Sequence, residues 1–244
     1  MKITDKVEML EIDGMGRVYL TLAWDDNSLV LADAGFPGQT EAIVKAVTSA
    51  GHAAEKITHI ILTHQDMDHI GCVRDLLKLA PNAKVLAHAD EAPYIDGSKT
   101  PIKLAALLAQ YDSLPADRKA WCDRIKNGLP NLTVTVNQLL RDGDVLPICG
   151  GIEVIHTPGH TPGHICLYLQ KEKVLVTGDA LNIQDGKLTG PNPQHTFNME
   201  LGLQSAEKAK KFPFDKVISH HGGFLKVNLP MASCEIFCLP HKAE

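Results

Sequence analysis

No run of lysine or arginine marks a track for a phosphate backbone in these 244 residues, and the formal net charge is −5. The densest basic cluster, Lys208, Lys210 and Lys211, reads as a solvated helix face. Nucleic acid is therefore not expected as a partner. Nor does any apolar stretch approach the roughly 20 residues that cross a bilayer, so no membrane partner is expected. The opening Met1-Lys2-Ile3-Thr4-Asp5-Lys6 lacks the apolar segment of a secretory signal, which makes a cytoplasmic location the expectation. The cysteines, Cys72, Cys122, Cys149, Cys166, Cys234 and Cys238, are too scattered for a disulfide framework and read as reduced and mostly buried. Cys234, Cys238 and His241 make only a weak pattern for a small metal site. Repeats, linkers and low-complexity tracts are also missing. What remains is an ordinary soluble composition, 44% hydrophobic and 22% charged, large enough for one sizeable core.

Histidine is the residue in excess. There are twelve, and they gather where apolar runs end. Short strands are expected at Val7 to Ile12, Val18 to Ala23 and Leu29 to Leu31, followed by a helix over Thr40 to Ala50 that stops at Gly51. Ile57 to Leu62 is β-branched and apolar, like a strand buried on both faces. A helix over Ile70 to Leu79 and a strand over Lys84 to Ala87 complete this half. From about 90 to 130, prolines punctuate two helical patterns, Leu104 to Tyr111 and Asp117 to Lys126, which read as an insertion within a single domain covering 1–244. A substrate-covering lid and plain padding fit that insertion equally. Strands return at Leu132 to Val136, Gly151 to His156, His164 to Leu169, Lys173 to Val176 and Val217 to Ser219, with a helix over Glu200 to Lys211.

Five strand ends carry His or Asp. After Leu62 comes Thr63-His64-Gln65-Asp66-Met67-Asp68-His69, four potential metal ligands in six residues at the carboxyl end of a buried strand. Helix capping accounts for one Asp, not for two His and two Asp together. The turn from His156 to His164 holds three histidines, but its prolines and glycines forbid a helix, so it is rigid enough to fix one imidazole. His156 and His164 read as hydrogen-bonded packing residues, leaving His160. Thr177-Gly178-Asp179 ends a strand in a carboxylate suited to bridging two cations. Ser219-His220-His221 and Leu31-Ala32-Asp33 end two more.

With Asp33, Thr63 to His69, His160, Asp179 and His221 in that order, the chain resembles the metallo-β-lactamase superfamily, whose hallmarks are an early Asp, a THxHxDH loop, a later His, a TGD turn and a final His. The resemblance implies an α/β fold, a four-layer αββα sandwich, with the site at one edge of two sheets. It further implies His64, Asp66 and His160 around one metal and Asp68, His69 and His221 around a second. Asp179 would lie between them, and Asp33 would orient the ligand loop from behind. Either His220 or His221 could be the last ligand. The family usually has His where this chain has Asp66. A carboxylate there hardens the site, could favour Fe or Mn over Zn, or could leave one metal only; the superfamily's flavodiiron branch carries Glu at that position and uses iron.

The expected cofactor is thus two divalent ions, zinc foremost. The expected activity is hydrolysis of an ester-like bond, lactone or thioester favoured, by a metal-activated water, with Asp68 as the catalytic residue that orients that water or passes a proton to the leaving group. A mono- or di-iron oxidoreductase and a non-catalytic metal-binding scaffold are the competing readings. The expected partner is a small-molecule substrate, with a homodimer left open.

Overall fold

The computed structural model describes residues 1–227 of the chain, so Cys234, Cys238 and His241 lie outside the described residues. Hydrophobic period sets the layers. In β3 (Leu29–Ala32) and β4 (His59–Leu62), Leu29, Leu31, Ile60 and Leu62 face one core, while Val30, Ala32 and Ile61 face another. Alternate side chains of a strand point to opposite faces, so strands apolar at every position must be covered on both. The first core is closed by helices α1 (Thr40–Ser49) and α3 (Val73–Leu79), through Ile43, Val47, Val73 and Leu76.

These strands belong to a six-stranded sheet ordered β1 (Val7–Ile12), β2 (Val18–Trp24), β3, β4, β5 (Lys84–His88) and β6 (Gln138–Leu140), antiparallel through β3 and parallel beyond it. A second six-stranded sheet runs β14 (Gly223–Lys226), β13 (Lys216–Ser219), β10 (Val174–Val176), β9 (Ile165–Leu169), β8 (Ile152–His156) and β7 (Val145–Leu146). Val30, Ile61 and Leu86 meet Val154, Ile165, Val176 and Ile218 between the sheets. Ala206 and Ala209 of α7 (Met199–Lys210) then cover the outer face of the second sheet, against Ile155, Leu175 and Val217. The result is a four-layer αββα sandwich. A small hairpin, β11 (Asn182–Gln184) with β12 (Lys187–Thr189), sits beside it.

Two elements differ from the sequence reading. The helix expected over Ile70 to Leu79 is broken into α2 (Met67–Ile70) and α3. The break falls at Gly71, where a Cβ would run into the backbone of Phe36 and Pro37, and where the Gly71 and Cys72 N–H groups donate to Gly35 and Ala34. Leu132 to Val136 is not a strand. Leu132 and Val134 bury themselves in the first core, and the Val134 N–H donates to Ile95 of α4 (Ala92–Ile95) instead of to a ladder. Helices α5 (Ile102–Ala109) and α6 (Ala116–Gly128) pack on each other along the 90–130 segment. Cys72, Cys122, Cys149 and Cys166 are free and buried. Among the described residues no helix is long and apolar enough to cross a membrane.

Candidate metal centre

The carboxyl ends of β3, β4, β10 and β13 and the turn between β8 and β9 converge at one edge of the sandwich, each delivering a titratable side chain. The β4 loop is fixed from behind. Asp33, at φ 62° and almost fully buried, accepts hydrogen bonds from Thr63 N–H (2.8 Å) and from the Thr63 hydroxyl (2.9 Å to Oδ2). Its Oδ2 also lies 2.9 Å from His69 Nδ1, which turns His69 Nε2 toward the centre. Asp66 occupies the N-cap position of α2, yet its side chain makes no capping bond. Its Oδ2 lies 3.2 Å from His64 Nε2 and 3.0 Å from His160 Nε2. Capping does not explain it.

Asp179 sits in the middle. Its Oδ1 is 3.4 Å from His69 Nε2, and its Oδ2 is 3.4 Å from His160 Nε2 and 3.5 Å from His221 Nε2. The turn that aims it requires Gly178, at φ +49°, where a Cβ would come within 2.6 Å of His164 Nε2. His164 is fully buried; its Nε2 accepts the Asp179 N–H (3.0 Å) and its Nδ1 meets the Thr157 hydroxyl (2.8 Å). His221 Nε2 faces the Asp68 carboxylate at 3.1 Å. The neighbouring His220 is spent differently: its Nε2 donates to the Asp68 carbonyl (3.1 Å) and its ring stacks on His69 at 3.6 Å.

Two donor groups result, His64 with Asp66 and His160, and Asp68 with His69, His220 and His221; His64, His69 and Asp179 form a third that shares a residue with each. Buried polar atoms at the centre left without a hydrogen-bond partner include His64 Nε2, His69 Nε2 and Asp179 Oδ1; His160 instead turns its Nε2 to Asp66 and Asp179. Orphaned buried groups cost about 1–3 kcal/mol each, so their concentration here fits a site that expects a cation. Charge says the same. Burial opposes ionisation of Asp66, Asp68 and Asp179, but the surrounding imidazoles hold all three below the usual carboxylate range. Burial would lower His221, yet Asp179 and Asp68 raise it to about 9. Against the same burial, Asp33, Asp68 and Asp179 raise His69 well above its ordinary value. By contrast burial, reinforced by His69, pushes His220 down to about 3. The acids therefore draw positive charge to this point, and a divalent ion would supply it.

The model of the metallo-beta-lactamase superfamily matches residues 13–221. The chain belongs to that superfamily. It is 29% identical over 220 residues to the probable metallo-hydrolase YflN of Bacillus subtilis, covering 84% of this chain and 79% of that protein. It is 24% identical over 214 residues to the hydroxyacylglutathione hydrolase GloC of Haemophilus influenzae, covering 85% and 86%. With an N-acyl homoserine lactonase of a Bacillus species it shares 28% identity over 176 residues, 71% of this chain and 58% of that one. A metallo-beta-lactamase family protein of Thermus thermophilus superposes with a TM-score of 0.73 at 21% identity, over 92% of this chain and 76% of that one, a likeness of fold. Superfamily members typically bind divalent metal, usually zinc, and most are hydrolases.

Other residues reach this candidate centre without having been singled out in the sequence. Glu91, fully buried, accepts from Gln65 N–H (3.0 Å), Gln65 Nε2 (2.9 Å) and Gly163 N–H (2.7 Å), tying the β4 loop to the histidine turn. Lys103 of α5 contacts Asp66 Oδ2. Neither has a pattern in sequence beyond an acid in a turn and a charge on a helix. A cavity of about 390 Å³ opens over the donors, lined by Phe36, Leu181, Asn182, Asn192 and His195 beside Asp66, Asp68, Lys103 and Asp179. Away from it, His88 and His156 stack at 4.0 Å near Asp90.

Proposed function

We propose that this protein is a metal-dependent hydrolase of an ester-like bond, with a lactone or thioester as its substrate class. In this reading His64, Asp66 and His160 hold one divalent ion and Asp68, His69 and His221 hold another, with Asp179 shared and zinc the first choice of metal. The observation that carries it is the convergence of two unpartnered buried nitrogens, His64 Nε2 and His69 Nε2, with the unpartnered Asp179 Oδ1 from a second strand end. His221 is preferred to His220 because its Nε2 faces both the Asp68 and Asp179 carboxylates.

A divalent cation supplies a Lewis acid for the carbonyl and lowers the pKa of a water from ~15.7 toward ~7. The chain's own residues do the rest. Asp33 and His164 lock the imidazole of His69 and the backbone of Asp179, so no reorientation is needed during reaction. Asp68 lines the cavity and carries the proton to the leaving alcohol or thiol. Phe36 and Leu181 give the acyl portion an apolar wall, while Asn182, Asn192 and His195 offer polar partners at the mouth. The volume of about 390 Å³ suits a small molecule. The relatives' names, a hydroxyacylglutathione hydrolase and a homoserine lactonase, support thioester or lactone as the class.

The test is hydrolysis of a panel of lactones, thioesters, β-lactams and phosphoesters by metal-loaded protein. The reading is sunk if none is cleaved while His64→Ala alters neither metal content nor stability. Asp66 favours a second reading, because a carboxylate is a harder donor than the imidazole it replaces. Iron with visible absorbance and oxygen consumption in protein purified without added metal would shift the assignment to redox chemistry.

A further inference from the structure

An ammonium group stands among the donors. Lys103 Nζ contacts Asp66 Oδ2 and lies 3.3 Å from His160 Nε2, two of the three side chains that form the His64 group. Its neighbours anchor it there. On one side the Ile102 N–H donates to Gln65 Oε1 (2.9 Å), and Gln65 is itself held by buried Glu91. On the other side Leu104 is 4% exposed. Between these anchors the Lys103 side chain is 42% exposed, so its stem has room to swing into solvent without disturbing the helix. Among the described residues no lysine or arginine faces the other group: the side chains paired with the Asp68 carboxylate are the imidazoles of His69, His220 and His221.

We propose that Lys103 is a tethered competitor for metal at the His64–Asp66–His160 position, its ammonium standing where the cation would sit and leaving when the cation arrives. The inference rests on the two-metal reading above. A neutral imidazole at position 66 would offer an ammonium no opposite charge; the Asp66 carboxylate attracts both lysine and metal. A competitor on the same chain lowers apparent affinity by the fraction of molecules in which it is out of the way. It never dilutes, so its effect is independent of protein concentration. The consequence is one metal position weakened by the chain itself, while the other is not.

The experiment is a calorimetric titration of metal-free protein with Zn²⁺, repeated with Co²⁺ to read the ligand-field spectrum, on the full chain without substrate. Lys103→Met should tighten one of the two binding steps about tenfold and leave the other within about twofold. Lys103→Arg, which keeps the charge, should stay near wild type. Lys99→Met removes the same charge from a lysine lying over the Tyr94 ring and should change neither step. In an Asp66→His background, Lys103→Met should shift the affinity less than about twofold, because the partner carboxylate is gone. Unchanged steps in Lys103→Met, or an equal shift in both backgrounds, would overturn the inference and leave the hydrolase reading intact. Absence of metal binding in every variant would overturn both.

Discussion

The two ends of the donor row are braced by different parts of the molecule. The Asp68, His69 and His221 end is held by the sandwich itself. Asp33, from the end of β3, fixes the His69 ring, and His220, from the end of β13, stacks on that ring and ties down the Asp68 carbonyl. The His64, Asp66 and His160 end is held by residues outside the strands. Glu91 clamps Gln65 and Gly163 together, and α5 docks on Gln65 and brings Lys103 over Asp66. One end therefore inherits its geometry from strand register, where a shift of one residue would turn every side chain to the wrong face. The other end is set by a helical excursion that can change without disturbing the sheets. Specificity and metal preference are easiest to tune at that second end.

The largest effect should come from the residue both ends share. Asp179→Asn removes the one carboxylate among the described residues that lies within 3.5 Å of His69, His160 and His221 alike. Hydrolysis of the best panel substrate should fall roughly 10²–10³-fold, the scale of losing one dominant electrostatic contact. Metal per chain should fall with it. If Asp179→Asn keeps its full metal content, the two ends are independent sites and not one centre. Next in size is Asp33→Asn, which acts most directly on the sandwich-held end, through His69, and reaches His64 only through Thr63. An amide cannot accept from both Thr63 and His69 as the carboxylate does, so metal affinity at that end should weaken about 10–100-fold, read by titration with a chromophoric chelator. The step belonging to His64 and His160 should stay within a few-fold.

Glu91→Gln should act on the opposite end, and more gently. The amide nitrogen would face the N–H of Gln65 or of Gly163, leaving a buried donor unpaired at a cost of about 1–3 kcal/mol. For a chain of this size that lowers the melting temperature by about 2–4 °C per kcal/mol. Affinity at the His64 and His160 end should weaken about tenfold, with the Asp68 end unmoved. An equal loss at both ends would mean that the clamp supports the whole row, and the contrast between the ends would lose its meaning.

What could be read in the sequence follows the same division. The sandwich and the donors at its strand ends were legible because each strand is an apolar run that stops at His or Asp, as Ile60 to His64 and Val174 to Asp179 do. The excursion was not. Lys103 lies on a helix with no distinctive pattern, and nothing local says that a lysine 37 positions away meets Asp66. Glu91 reads as a turn acid; only its burial under Gln65 and Gly163 shows its task. Leu132 to Val136 alternates like a strand, but its apolar residues satisfy themselves against the first core, and pairing begins only at Gln138. Side-chain period reports which face is buried, not which partner buries it.

The smallest effect is expected at the His88, Asp90 and His156 group, which has the composition of a metal site but not its unpaired atoms. His156 Nε2 donates to the Pro162 carbonyl (2.9 Å), and His88 Nδ1 accepts the Asp90 N–H (3.2 Å). The rings stack nearly parallel, 9° apart, and Asp90 turns a 62% exposed carboxylate to solvent. None of these atoms is among the orphaned buried ones, so no cation is needed to satisfy them. His156→Gln should therefore leave metal content unchanged and hydrolysis within about twofold. The lost bond to Pro162 would cost about 1 kcal/mol of stability, seen as a small drop in melting temperature. A loss of one metal per chain in that variant would show that a row of hydrogen-bonded histidines can bind as well as a row of orphaned ones. The unpaired nitrogens that carry the functional reading would then no longer distinguish the centre from its surroundings.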